Sequence, residues 1–147
     1  MTVSLLDVNV LVAMAWPAHS AHAAVARWLL KHKDEEWATC PFTQAGFVRI
    51  LSNPAFSPDA LTPQDAAAVL SKNLNHTGHR FWTSDLDFNE AIRPFAGRIV
   101  GHQQVTDAYL LGLTLHNGGR LATLDRGILD LLPSESPHRR SVEVIGK

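Results

Sequence analysis

The chain has 147 residues, 46% of them hydrophobic and 18% charged, which is typical of a globular protein and excludes wholesale disorder. Thirteen basic and fourteen acidic residues give a net charge of −1, which excludes a strongly basic nucleic-acid-coating protein and a polyacidic tail. The single cysteine, Cys40, can form neither an internal disulfide nor a zinc ribbon. No apolar run approaches the ~20 residues of a membrane span. We therefore expect one domain over residues 1–147, in the cytoplasm and away from membranes.

Short apolar runs and helical patterns alternate along the chain. The runs predict five strands, at residues 3–6, 37–40, 80–83, 120–124 and 141–145. Capping residues and helix breakers predict five helices, at residues 10–16, 20–33, 44–51, 63–75 and 107–116, with Ser20, Thr43, Thr62 and Thr106 as N-caps. Residues 84–103 show no clear pattern. The alternation favours an α/β fold, a three-layer α/β/α sandwich with a mainly parallel central sheet.

Three aspartates occupy related places in this scheme. Asp7 follows the first strand, Asp125 follows the fourth, and Asp107 lies in the first turn of the helix that leads into the fourth strand. That helix descends roughly 16 Å from the carboxyl edge of the sheet, and the strand climbs back roughly 16 Å. Because ligands bind outside the carboxyl ends of parallel strands, we expect the three carboxylates to meet at one edge.

Crowded carboxylates repel one another and raise one another's pKa values unless a cation lies among them. Oxygen ligands of this kind suit Mg²⁺ or Mn²⁺. Such an ion lowers the pKa of a bound water and shields the charge of a phosphodiester. The residues alone therefore predict metal-dependent phosphoryl chemistry. The alternative is that each aspartate only caps a helix.

Four stretches of the chain resemble the PIN-domain ribonucleases, specifically the VapC-like toxins of bacterial toxin–antitoxin pairs. They are LLDVNVLVA at 5–13, CPFTQAGFVRILSNP at 40–54, VTDAYLLGLTLHNGG at 105–119 and LATLDRG at 121–127. The resemblance implies an α/β/α sandwich and Mg²⁺-dependent cleavage of RNA by a metal-activated water. It also implies a homodimer and inhibition by a cognate antitoxin protein.

The resemblance assigns roles to five residues. Asp7, Asp107 and Asp125 match the acidic positions of the PIN site and would act as catalytic metal ligands. Asn9 matches the small polar residue two positions after the first aspartate, and Thr123 matches the hydroxyl residue close before the last acid. Both would orient the metal or the water.

One position departs from the family pattern. Most PIN domains carry a glutamate in a T-x-x-E-like stretch of the second conserved helix, whereas this chain has Thr43-Gln44-Ala45-Gly46, with glycine at the acid position. Gln44 is a neutral candidate substitute. If Thr43 caps the helix, Gln44 and Gly46 point about 200° apart, so that Gln44 cannot simply replace the acid.

Two other functions remain open from the sequence. A haloacid-dehalogenase-like phosphatase would use Asp7 as nucleophile, but it requires a second aspartate where Asn9 stands and a later catalytic lysine. The lysines, Lys31, Lys33, Lys72 and Lys147, all lack a suitable context. A non-catalytic PIN scaffold that binds RNA or an antitoxin is the second alternative, which Gly46 supports.

Overall fold

A computed structural model describes residues 2–146 and shows a five-stranded sheet in them. The strands are β1 (Ser4–Leu6), β2 (Trp37–Thr39), β3 (His79–Phe81), β4 (Arg120–Thr123) and β5 (Val142–Val144). Their order across the sheet is β3-β2-β1-β4-β5, and every neighbouring pair is parallel. The prediction of a parallel sheet is confirmed, and each strand lies within its predicted range except that β3 begins one residue earlier.

Alternate residues of the central strands face two separate cores, as the two-residue period of a strand requires. Leu5 and Leu121 contact the core formed with α5 and α6, while Leu6 and Ala122 contact the core on the other face. All four side chains are fully buried. Two cores on opposite faces of one sheet confirm the three-layer α/β/α sandwich.

Within residues 2–146, six α-helices connect the strands. They are α1 (Val8–Ala15), α2 (His22–Lys31), α3 (Pro41–Leu51), α4 (Pro63–Leu74), α5 (Phe88–Ile92) and α6 (Val105–His116). Short 3₁₀ segments occupy Arg93–Arg98, His102–Gln104, Arg126–Leu131 and Pro137–Ser141. The predicted cap at Thr62 is confirmed, since its hydroxyl accepts the Asp65 N–H at 3.1 Å. In residues 2–146 no helix is both long and apolar enough to cross a bilayer.

The predicted N-cap at Thr43 is wrong, because α3 begins two residues before it. Cys40 is the extended N-cap residue, and Pro41 occupies the first helical position, where its fixed φ is favourable and its missing N–H costs nothing. Thr43 lies at the third helical position, where its hydroxyl accepts the Cys40 N–H at 3.0 Å. Gln44 and Gly46 therefore lie one turn deeper in the helix than predicted.

The predicted caps at Thr106 and Ser20 are also wrong. The 3₁₀ turn at His102–Gln104 runs directly into α6, and the side chain of Gln104 accepts the N–H groups of Val100 and Gly101. At α2 the N-cap is Ala21, whose N–H is accepted by Nδ1 of His19. At neither helix does a side chain of the N-cap residue accept an N–H of the first turn.

Candidate active site

Asp7 leaves the carboxyl end of β1 and caps α1. Its Oδ1 accepts the N–H of Val8 at 2.7 Å, and its Oδ2 accepts the hydroxyl of Thr123 at 2.7 Å. Only 6% of the residue is exposed. Burial raises the pKa of Asp7, the two hydrogen bonds partly oppose this, and the charge of Asp125 adds to the rise. Each carboxylate oxygen is held by one donor, which fixes its orientation.

Thr123 and Asn9 join the ends of β1 and β4. The fully buried Thr123 hydroxyl donates to Asp7 and accepts the N–H of Asp125 at 3.1 Å. Asn9 accepts the N–H of Leu124 at 3.1 Å and donates to the Thr123 hydroxyl at 3.4 Å. The structure thus brings Asp7, Asn9, Thr123 and Asp125 into one hydrogen-bond network.

Asp125 caps the 3₁₀ turn that follows β4, where its Oδ1 accepts the Gly127 N–H at 2.8 Å. Asp107 lies at the third position of α6 and is partly buried. Burial, then the charge of Asp7, and then that of Asp125 raise the pKa of Asp107 to about 7. The three aspartates therefore lie close enough for their charges to interact, as the lengths of α6 and β4 led us to expect.

The carboxylate oxygens of Asp7, Asp107 and Asp125 are ligands of the kind that a divalent cation such as Mg²⁺ prefers. Within residues 2–146 no group of three or more histidine, cysteine, aspartate or glutamate side chains is gathered into a ready-made metal site. Mg²⁺, however, keeps several water ligands and needs only one or two direct carboxylates. Burial, and then neighbouring carboxylate charge, raise the pKa values of Asp7 and Asp107, and a bound cation would offset the repulsion among these carboxylates.

An open cleft of about 420 Å³ contains Asp107 and Asp125. Its other wall is formed by residues 100–104, which precede α6. Gly127 and Asp130, from the 3₁₀ segment after β4, also line the cleft. Residues 84–103 show no periodic pattern, so the sequence does not predict this wall. Asp130 follows Asp125 by five residues, and this spacing matches no recognisable motif.

Gln44 does not join the carboxylate network. Its Nε2 donates to the hydroxyl of Thr39 on β2 at 2.9 Å, and Gln44 is absent from the lining of the cleft. Gly46 lies where α3 crosses α1 closely, since a Cβ there would meet Cγ2 of Val8 at 2.7 Å. This contact gives a packing reason for glycine at the position where the family carries an acid.

Two histidines before and at the start of α2 make local hydrogen bonds. Nδ1 of His22 lies 2.7 Å from the Ala13 carbonyl oxygen, and Nδ1 of His19 accepts the N–H of Ala21 at 3.0 Å. Neither histidine lines the cleft. Among the described lysines, none lines the cleft. Lys147, the fourth candidate lysine of the phosphatase alternative, lies outside the described residues.

Comparisons with known proteins identify the family of the chain. The PIN domain family model matches residues 4–131. Ribonuclease VapC38 of Mycobacterium tuberculosis (strain ATCC 25618 / H37Rv) is 44% identical over 87% of this chain and 89% of its own length. Ribonuclease VapC39 of the same strain is 40% identical over 86% of this chain and 91% of its own length.

A solved structure shares the fold. The crystal structure of VapBC2 from Rickettsia felis bound to a DNA fragment from their promoter contains a chain that superposes with a TM-score of 0.61 at 12% identity. The match covers 89% of this chain and 93% of the other. The chain is therefore a member of the PIN domain family, and its relatives there include VapC ribonucleases.

Proposed function

We propose that the protein is a metal-dependent endoribonuclease and the toxin of a toxin–antitoxin pair. The observation that carries the proposal is the proximity of Asp7, Asp107 and Asp125, where burial, and then the charges of Asp7 and Asp125, raise the pKa of Asp107 to about 7. The relatives named Ribonuclease VapC support RNA as the substrate. We expect the protein to act in the cytoplasm, where its RNA substrates are.

The three aspartates would hold Mg²⁺ or Mn²⁺. When bound, the metal ion lowers the pKa of a water ligand and offsets the charge that develops on the scissile phosphate. Thr123 and the Val8 N–H hold the Asp7 carboxylate in one orientation, and Asn9 ties α1 to the end of β4. This rigid support keeps the carboxylates in place while substrate and water exchange.

The reaction we propose is hydrolysis in which the water oxygen attacks phosphorus. The bond from phosphorus to the 3′ oxygen breaks, and that oxygen takes a proton. One product ends in a 5′-phosphate and the other in a 3′-hydroxyl. The 2′-hydroxyl is not the nucleophile, so the ends distinguish this reaction from transesterification, which leaves a 2′,3′-cyclic phosphate.

Cleavage assays on RNA test the proposal. We expect cleavage that EDTA abolishes and that added Mg²⁺ or Mn²⁺ restores. Asp7→Asn, Asp107→Asn and Asp125→Asn should each lower the rate by at least a hundredfold, while Asp59→Asn, at an exposed loop position, should leave it unchanged. Undiminished cleavage in EDTA or by Asp107→Asn would refute the proposal. Binding of RNA without cleavage at saturating Mn²⁺ would instead favour the non-catalytic scaffold.

We further propose two protein partners, a cognate antitoxin and a second copy of the chain. A basic side chain of the antitoxin would enter the acidic cleft by charge complementarity. Leu30 and Val100, exposed at 70% and 89%, are apolar side chains that such contacts would cover. Light scattering at micromolar concentration should give a dimer, and a strict monomer would contradict it. Replacing the arginines of the antitoxin should abolish inhibition of cleavage.

A further inference from the structure

A second cavity lies at the opposite edge of the sheet from the acidic cleft. Its volume is about 160 Å³, and its lining includes Ser4 and Trp37, the first residues of β1 and β2. Asp7 follows the other end of β1, roughly 10 Å away along the three-residue strand. The cavity and the cleft share no lining residue. The cavity is therefore separate from the proposed catalytic centre.

Aromatic rings line much of this cavity. The indoles of Trp28 and Trp37 are 8% and 7% exposed. Trp28 stacks on the imidazole of His32 with ring centroids 4.3 Å apart, and Trp37 lies 6.1 Å from the ring of His76. A cavity of about 150 Å³ with apolar walls is large enough for a benzene molecule. The volume and the walls fit one planar ring.

The two histidines present different hydrogen-bonding atoms. Nδ1 of His32 lies 2.8 Å from the Trp28 carbonyl, which only accepts, so Nδ1 carries the proton and Nε2 of the neutral ring is left as an acceptor. Nδ1 of His76 accepts the Gly78 N–H at 3.0 Å, so its proton lies on Nε2, which is left as a donor. The amide of Asn73 donates to the Val69 carbonyl, which leaves its oxygen as a second acceptor. The lining residues thus carry both hydrogen-bond donors and acceptors without a partner among these contacts.

The charges around the cavity nearly cancel. Lys33 and Glu35 have opposite charges, and Glu36 forms an ion pair with Arg80. Neither an anionic phosphate nor a strongly cationic group would find an uncompensated partner here. A neutral ligand is favoured.

We propose that this cavity binds a small, uncharged nitrogen heterocycle with one planar ring and neighbouring hydrogen-bond donor and acceptor groups, as in a free pyrimidine base. The indoles of Trp28 and Trp37 would contact the ring faces. His32 and Asn73 would accept from the ligand, and His76 would donate to it. The site is independent of the acidic cleft and of the RNA-cleaving activity proposed for it.

Titration of the full chain with cytosine, followed by the NMR signals of the four indole N–H groups, tests this site. We expect a Kd below 1 mM, with shifts of the Trp28 and Trp37 signals and no shift of Trp16 or Trp82. Benzene, which matches the ring but lacks the polar groups, should bind at least tenfold more weakly. No shift at 10 mM cytosine, shifts of the other two indoles alone, or equal affinity for benzene would each overturn the proposal.

Matched variants separate this site from the cleft. His32→Phe and His76→Phe keep a planar ring and should weaken cytosine binding at least tenfold, while RNA cleavage by His76→Phe stays within twofold of the wild type. Asp107→Asn should bind cytosine unchanged. Titration with oligocytidylate distinguishes a free base from a base carried on RNA. If the oligonucleotide bound at Trp28 and Trp37 more tightly than cytosine does, the assignment of an uncharged ligand would be overturned. Unchanged affinity in folded His32→Phe and His76→Phe would also overturn it.

Discussion

The hydroxyl of Thr123 donates a 2.7 Å hydrogen bond to Oδ2 of Asp7 and joins two strand ends that are 116 residues apart in the chain. The same oxygen accepts the N–H of Asp125. One buried side chain therefore positions both a carboxylate and the backbone of a second acidic residue. Loss of such an outer partner of a metal-ligating group typically lowers metal affinity about 10–100-fold.

Removing this hydroxyl should weaken the site. Thr123→Val preserves shape but leaves Oδ2 of the buried Asp7 without its donor, so we expect Mn²⁺ affinity and RNA cleavage to fall about 10–100-fold. Thr123→Ser keeps the hydroxyl and is the matched control, with an expected change below threefold. Calorimetry and initial rates measure the two effects. A Thr123→Val protein as active as Thr123→Ser would show that the hydrogen bond has no such role.

The close packing of α3 against α1 should require glycine at position 46. Gly46→Ala removes a glycine that costs about 0.8–1 kcal/mol in a helix, but its Cβ would meet Cγ2 of Val8 at 2.7 Å. Valine is stiff in a helix, and overpacking costs about 1–3 kcal/mol. We therefore expect a net loss of stability of about 1 kcal/mol in urea denaturation.

The background variant Val8→Ala provides the control, because it removes the methyl group that the new Cβ would strike. In that background Gly46→Ala should be neutral or stabilising. The same loss in both backgrounds would contradict the packing explanation. A glutamate at position 46 would meet Val8 through the same Cβ, so it would require a change at Val8 or a shift of one of the two helices.

Asp107 should make the metal-free protein less stable as the pH rises. Its pKa is raised to about 7 in the folded state, against about 3.9 in an unfolded chain. Between these values the folded protein holds a proton that the unfolded chain has lost, so the free energy of unfolding falls as the pH rises from about 4 to about 7. Asp7, whose pKa is also raised, contributes in the same direction.

Asp107→Asn should flatten this dependence. Because Asp107 is partly exposed and screened by solvent, we expect the variant to be more stable than the wild type by only about 1–2 kcal/mol at pH 8 in EDTA. Asp59→Asn should behave like the wild type. Urea denaturation at several pH values measures how the free energy of unfolding depends on pH. The same dependence in Asp107→Asn and the wild type would show that Asp107 is not its source.

Gln44→Glu should leave Mn²⁺ binding unchanged. The side chain of Gln44 donates to Thr39 and not to the carboxylate network, so a new charge there would not become a ligand. Calorimetric titration of Mn²⁺ into both proteins should give the same affinity and stoichiometry. Tighter binding by Gln44→Glu would mean that the side chain leaves Thr39 and reaches the metal.

The sequence predicts the place of a site residue where a periodic pattern or the end of a strand determines it. The places of Asp7 and Asp125 follow from the ends of β1 and β4, and that of Asp107 from the length of α6. The sequence does not predict where a helix begins when several neighbouring residues are suitable N-caps. Thr43 and Thr106 have the right chemistry, but Pro41 and the 3₁₀ turn ending at Gln104 determine where those helices begin.

The far wall of the cleft could not be predicted at all. Residues 84–104 form a five-residue helix and two 3₁₀ segments, which are too short to show a hydrophobic period. Their packing against α6 depends on tertiary contacts, such as the hydrogen bond from the Tyr109 hydroxyl to the Leu86 carbonyl. No local pattern records such a contact.

Location of Mn²⁺ by anomalous scattering in crystals of the protein tests the central claim most directly. We expect a peak within coordination distance of at least one carboxylate among Asp7, Asp107 and Asp125, with the others reached directly or through water, and loss of that peak in Asp107→Asn. A peak elsewhere in the wild type, or none at saturating Mn²⁺, would contradict the assignment of these three aspartates as the metal site.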